Sequence, residues 1–159
     1  MKKKIWILLI IVAIIAIVLG IVFIQKNKKD IQINIQDLAS RIVGSASFED
    51  QLAQADSEMV MNDYTFTSDE INDLVSYQGS GATSEELVIL QVKDKSKINS
   101  VKEKINTRLS ERREAFGSYL PKEVGKIDNN ILRVEGNYII LCIANDTNTV
   151  NKIINEYIK

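Results

Sequence analysis

Two pairs of neighbouring acids, Asp69 with Glu70 and Glu85 with Glu86, are of the residue type from which a glycoside hydrolase builds its acid and its base or nucleophile. In an extended segment adjacent side chains point to opposite faces, which separates Glu85 from Glu86. Both pairs are therefore expected to be solvated surface acids. The stretch Gly79-Ser80-Gly81-Ala82-Thr83-Ser84 is small, polar and glycine-rich, like loops that cradle phosphate with backbone N–H groups. It lacks the lysine and the following helix of a P-loop, so it is expected to be a hairpin connection. Its Gly79, Ser80, Gly81 and Thr83 are candidate contacts for a ligand or partner. Arg108 and Arg112 fall one helical turn apart and with Arg113 form the only arginine cluster of the domain. They are candidate anion ligands. The plainer expectation is that their stems lie over the sheet edge and their heads pair with acids such as Glu111 or Glu135.

The chain has no histidine and one cysteine, Cys142. Ser-His-Asp and Cys-His schemes are thereby excluded, together with the usual general base and the usual zinc ligands. Cys142 sits in the apolar run Ile139 to Ile143 and reads as a small core residue. No catalytic, cofactor-binding or metal-binding residue is assigned, and no cofactor is expected. Asn145-Asp146-Thr147 matches a glycosylation acceptor, but the same residues are what a helix start requires, and the cap is preferred.

The elements that must position these residues follow from length and charge. The 159 residues carry a net charge of −1, which hides a split. Lys2, Lys3, Lys4, Lys26, Lys28 and Lys29 flank an apolar stretch; the rest, from Asp30 onward, has 14 basic against 21 acidic residues, a net −7. So acidic a remainder repels phosphate backbones, and nucleic acid is not expected as a partner. From Ile5 to Ile24 there is no charged or strongly polar side chain. At about 1.5 Å per residue, that stretch spans a hydrocarbon core of roughly 30 Å. It is longer than the apolar region of a cleaved signal peptide, has no small-x-small site after it, and is followed by no lipid-accepting cysteine. The reading is a cytoplasmic tail at 1–4, a single-pass membrane anchor at 5–24, a juxtamembrane linker at 25–34 and an extracytoplasmic α+β domain at 35–159. The lysines on both flanks barely decide orientation, and the reverse topology stays open.

Within the domain, Leu38 and Ile42 recur at helical spacing, predicting a helix over 36–44 capped by Asn34 or Asp37 and ended by Gly44. Residues 48–66 follow no period for long and are read as short helical turns. Ile71 to Tyr77 and Leu87 to Val92 make a first β-hairpin. Ile98, Val101, Ile105, Leu109 and Phe116 mark one face of a long helix with Ser96 as its cap, and Pro121 ends it or opens a short turn through Lys126. A second hairpin joins Ile131 to Glu135 with Tyr138 to Ala144 through Gly136-Asn137. A last helix carries Val150, Ile153, Ile154 and Tyr157, capped by Asp146 or Thr147.

The order β-β-α-β-β-α permits a four-stranded antiparallel sheet of permuted ferredoxin-like form, with both main helices on one face. Leu87 to Val92 and Tyr138 to Ala144 are apolar on both faces, as central strands are, so the other sheet face also needs a cover. The N-terminal helix with the Met59 to Phe66 segment is expected to supply it; a second copy of the chain or another protein is the alternative.

The run from Val75 through Gln78, Gly79, Gly81 and Thr83 to Glu86 resembles a motif of one family, as do Arg108, Phe116 with Tyr119-Leu120-Pro121, and Gly136-Asn137-Tyr138. The family is domain of unknown function forty-three fifty-eight, extracytoplasmic proteins of Gram-positive Firmicutes held to the membrane by a helix or a lipid. The likeness covers most of the chain from Leu38 onward and implies an outward-facing domain at the cell envelope. It carries no established catalytic residue. The functional expectation is a non-enzymatic, membrane-tethered interaction or ligand-binding domain. Its working surface is the uncovered sheet face or the Gly79 to Glu86 loop, its partner an envelope protein, a small ligand or a second copy. The rival is an envelope enzyme acting on glycan or peptide through paired carboxylates.

Overall fold

The computed structural model describes residues 31–158. The tail at 1–4, the anchor at 5–24 and most of the linker therefore lie outside the described residues. Among the described residues no helix is long and apolar enough to cross a membrane.

Helix α1 runs Ile35–Ser45. Asn34 starts it, its side-chain oxygen accepting the Asp37 N–H at 3.1 Å, and Ile35, Leu38, Ala39 and Ile42 form the buried stripe. Gly44 does not end it; the helix runs one residue further, and the Ala46 N–H still reaches the Ile42 carbonyl at 2.9 Å. A two-residue strand β1, Ala53–Gln54, follows, then α2, Ser57–Asp63, whose first N–H groups are taken by the side chain of Asp56. Strand β2 is Ile71–Gln78 and β3 is Glu86–Val92. The long helix α3, Ile98–Tyr119, begins after a tight turn at Lys95–Lys97 that Asp94 caps, so Ser96 is not its cap. After α3 come a single turn at Pro121–Glu123, the short α4, Val124–Asp128, and the hairpin of β4, Ile131–Glu135, with β5, Tyr138–Ile143. Gly136, at φ 63°, provides the left-handed backbone that so tight a hairpin demands. Helix α5, Thr147–Tyr157, closes the domain behind an Asp146 cap.

The sheet has five strands rather than four, in the order β1-β2-β3-β5-β4, with every neighbouring pair antiparallel. The extra strand is β1, which pairs Ala53 with Gln78 and Gln54 with Tyr77, so β2 is not an edge. Two residues carry no periodicity from which such a strand could be read. The central pair is β3 and β5, as their apolarity on both faces requires.

The two main helices lie on opposite faces of the sheet, not on one. Val101, Ile105, Leu109 and Phe116 of α3 pack with Val60 and Tyr64 of α2 against Val88, Leu90, Ile139 and Leu141. On the other face Leu38 and Ile42 of α1 and Val150 and Ile154 of α5 pack against Leu87, Ile89, Ile140 and Cys142. The reason is topological. β3 and β4 are both antiparallel to β5, so α3 is the crossover of a split β-α-β unit, and the handedness of such crossovers assigns it a side. Helix α5 packs beside α1 on the opposite face. The N-terminal helix thus covers the second face as expected, but Val60, Tyr64 and Phe66 belong to the α3 side. Among the described residues no bare apolar sheet face is left as a working surface.

Candidate ligand-binding cleft

The chemistry-bearing residues gather where the β2–β3 connection meets the C-terminal half of α3. A cleft of about 530 Å³ opens there, lined on one wall by Gly79, Ser80, Gly81 and Thr83 and on the other by Arg108, Glu111, Arg112, Phe116 and Tyr119. All six candidate contact residues, remote in sequence, therefore face one space. Its size is within the roughly 300–1,000 Å³ of small-molecule sites.

The loop wall is held from behind. Asp50 accepts both the Ser80 N–H at 2.6 Å and the Ser80 hydroxyl at 2.7 Å, and these bonds hold its carboxyl below the ordinary aspartate range. A Cβ on Gly79 would lie 2.7 Å from Asp50 Oδ2, so glycine here lets the Asp50 carboxylate approach the loop this closely. At the far end Ser84 is fully buried and donates to Glu123 from its N–H at 2.9 Å and its hydroxyl at 3.1 Å. A strand follows this loop, not a helix, so no helix dipole points at the cleft from it.

Of the four acids expected on the surface only Asp69 is there. Glu70, Glu85 and Glu86 are 6%, 1% and 1% exposed. Glu85 and Glu86 do turn apart. Glu85 accepts the backbone N–H groups of Glu49 and Asp50 at 2.8 and 3.0 Å, while Glu86 accepts Gln78 Nε2 at 3.0 Å and faces Arg112 Nη1 at 3.5 Å. Glu123, which sequence reasoning passed over, joins Glu85 and Glu49 around one lysine. Lys126 Nζ is 2.8 Å from Glu49, 3.1 Å from Glu123 and 3.6 Å from Glu85. Burial works against the charge on Lys126, yet the hydrogen bonds to Glu49 and Glu123 hold its pKa above the ordinary lysine value. Burial likewise opposes ionisation of Glu123, but the Ser84 and Lys126 donors win and lower its pKa. The one available signal was polarity inside an otherwise apolar strand start. Glu85 and Glu86 open a strand that is buried on both faces, where an acid must find partners.

The arginines pair with other acids than those expected. Arg112 donates to the Ser84 carbonyl at 2.9 Å and lies over the Phe116 ring at 5.6 Å, besides facing Glu86. Arg113 binds Asp128 at 2.8 Å, and Glu135 is taken by its strand neighbour Arg133. Arg108 stands 3.5 Å from Asp63. Beneath the two cleft arginines lies Tyr64, whose hydroxyl has no hydrogen-bond partner among the described residues. Burial, and then the charge of Glu86, raise its pKa well above the ordinary tyrosine value. Phe116 and Tyr119 form the apolar lip, their ring centroids 5.2 Å apart and tilted by 32°. Phe116 is buried, whereas Tyr119 is 61% exposed. Among the described residues no group of histidines, cysteines or acids is arranged to hold a metal ion.

A second opening of about 570 Å³ lies on the other side of Glu123, lined by Glu49, Lys122, Lys126, Asn129 and Asn145. There Asn145 donates to Glu49 at 3.0 Å, and Asp146 caps α5 by accepting the Thr149 N–H at 3.1 Å.

The profile of a family described as Domain of unknown function (DUF4358) matches residues 44–144, well over half of the chain. No curated protein matches the chain. No solved structure matches it either.

Proposed function

The chain belongs to the DUF4358 family, and we propose that it acts as a membrane-tethered, extracytoplasmic binding domain that holds a small ligand in the cleft between the Gly79–Thr83 loop and α3, without catalysing a reaction. The observation carrying this reading is the convergence of the loop with Arg108, Arg112 and an exposed Tyr119 on one open space of ligand size. A docking surface for an envelope protein is the weaker form of the reading, because α1 and α5 cover the apolar face on which it would rest. The tether is the apolar stretch from Ile5 to Ile24, and a short charged N-terminus ahead of so long an apolar stretch most simply stays in the cytoplasm, with the acidic domain outside.

A thermal-shift panel tests the ligand reading, using the full-length protein in detergent with small acids, short peptides and glycan fragments. Ligand at a hundred times Kd stabilises by about 2.7 kcal/mol, enough to move Tm by several degrees. A compound that raises Tm of the wild type but not of Tyr119→Ala supports the cleft. Equal shifts in both would place binding elsewhere, and a silent panel would return the advantage to a protein partner. Location has its own test: protease added to intact cells should remove the domain, and survival until lysis would reverse the topology.

A further inference from the structure

We propose that the ligand of this cleft is a carboxylate, bound by Arg108 as a monoanion, with a flat or apolar part lying on Tyr119. The proposal rests on the cleft reading above and names its ligand class. A guanidinium has five N–H donors in a planar fork. Arg108 makes no hydrogen bond among the described residues, its Nε is buried without a partner, and its one ion pair, to Asp63, spans 3.5 Å. That is beyond the ~2.7–2.9 Å of a charge-assisted hydrogen bond.

Every other described arginine donates at least one side-chain hydrogen bond: Arg41 to Asp37, Arg112 to the Ser84 carbonyl although its Nε too is buried without a partner, Arg113 to Asp128, Arg133 to Glu135. The side chain of Arg108 is only 27% exposed, so it has lost much of its water without gaining protein acceptors. An anion entering the cleft supplies them. The surrounding charge selects which anion. Glu111 lines the cleft, Asp63 stands 3.5 Å from Arg108 and Glu86 stands 3.5 Å from Arg112, so two guanidiniums face three carboxylates and a dianion would be repelled. A planar carboxylate fits the planar fork in a bidentate pair. The apolar half of the ligand has a platform in Tyr119, exposed and backed by the Phe116 ring.

The test uses three probes of one shape: benzoate, benzamide and phenyl phosphate. Each is titrated into the isotope-labelled full-length protein in detergent, and the resonances of Gly79 to Thr83 and the Arg108 Nε–H are followed. Benzoate should move them saturably, at least about tenfold more tightly than benzamide or phenyl phosphate, the scale of one charged hydrogen bond. Arg108→Gln should weaken benzoate by about tenfold or more, Arg108→Lys by less, because it keeps the charge and loses the fork. The spectrum of each variant reports whether it is folded. Benzamide binding as tightly as benzoate would overturn the carboxylate while leaving the cleft reading intact. So would tighter binding of phenyl phosphate, or benzoate binding untouched by Arg108→Gln. If none of the three moves these resonances up to its solubility limit, both the carboxylate and the cleft reading fall.

Discussion

Ser84 gives both of its donors to one oxygen of Glu123, the backbone N–H at 2.9 Å and the hydroxyl at 3.1 Å. Both residues are buried, so the turn after α3 is tied to the end of the glycine-rich loop inside the protein, where water cannot replace a lost partner. Lys126 and the Glu85 carboxylate complete the knot, and the cleft wall stands on it.

Glu123→Ala leaves the buried Ser84 N–H and part of the Lys126 charge without an acceptor, and leaves the Ser84 hydroxyl only its longer bond to the Glu123 carbonyl at 3.3 Å. The expected cost is about 3 kcal/mol of unfolding free energy, and Glu123→Gln, which retains an acceptor, should cost less. Urea denaturation of both variants measures it. Midpoints equal to wild type for both would show that the knot contributes nothing.

Acid sensitivity should centre on Glu70. Burial opposes its ionisation, but donors from Lys104, the Thr67 N–H, Ser100 and the Thr67 hydroxyl outweigh it and hold the pKa at about 2. A carboxyl that is more acidic folded than unfolded stabilises the fold above its unfolded pKa. That contribution is complete above the ordinary value of 4.5 and is lost as pH falls from there through about 2. It is on the order of 3 kcal/mol at neutral pH. Urea midpoints measured from pH 7 down to pH 2 should stay level and then fall, and Glu70→Gln should be less stable at pH 7 with a shallower acid slope. An unaltered slope in the variant would assign the acid transition to other groups.

Cys142 should be inert in the folded protein. Burial, reinforced by the negative charges of Glu85 and Glu86, pushes its thiol up to about 12. At pH 8 that reduces the thiolate fraction on the order of a thousandfold, before any loss of access. Alkylation by iodoacetamide should proceed only at the rate of unfolding and become fast in denaturant. Rapid labelling of the native state would contradict the placement of this strand in the core.

Both helical layers should matter equally to stability. Leu38→Ala in α1 and Ile105→Ala in α3 each empty a site with no exposure and should cost about 2–5 kcal/mol. Calorimetry or urea titration compares them. A cost near zero for Leu38→Ala would mean that α1 does not seal the second face.

Gly79→Ala addresses the loop alone. The new methyl must displace Asp50 Oδ2 and crowds Thr83 Oγ1 at 3.2 Å, so the Asp50 clamp on Ser80 should open with the core intact. Amide shifts at Ser80 and Gly81 report the clamp. Unmoved shifts would show that the loop adapts without it.

Most elements were legible because each announces itself locally. The stripe Val101, Ile105, Leu109, Phe116 has one period, Asn34 and Asp146 sit where helix starts need an acceptor, and Gly136-Asn137 can only be a tight turn. The central places of β3 and β5 followed from apolarity on both faces. Strand β1 was not legible, since its two residues form a strand only because β2 offers them an edge. The buried acids were misread for a related cause: a Glu looks the same in sequence whether it meets water or the N–H groups of residues 49 and 50.

The sequence by itself determined all the strands but β1, the main helices, the central strands, the family likeness and the absence of histidine chemistry, all properties of short windows or of composition. The tertiary structure decided which helix took which face, which carboxylates went inside, and that the Gly79–Thr83 loop meets Arg108 across a cleft. These depend on pairing between segments tens of residues apart. Such pairing is settled by burying apolar area on both faces of one sheet at once, and no local pattern encodes it.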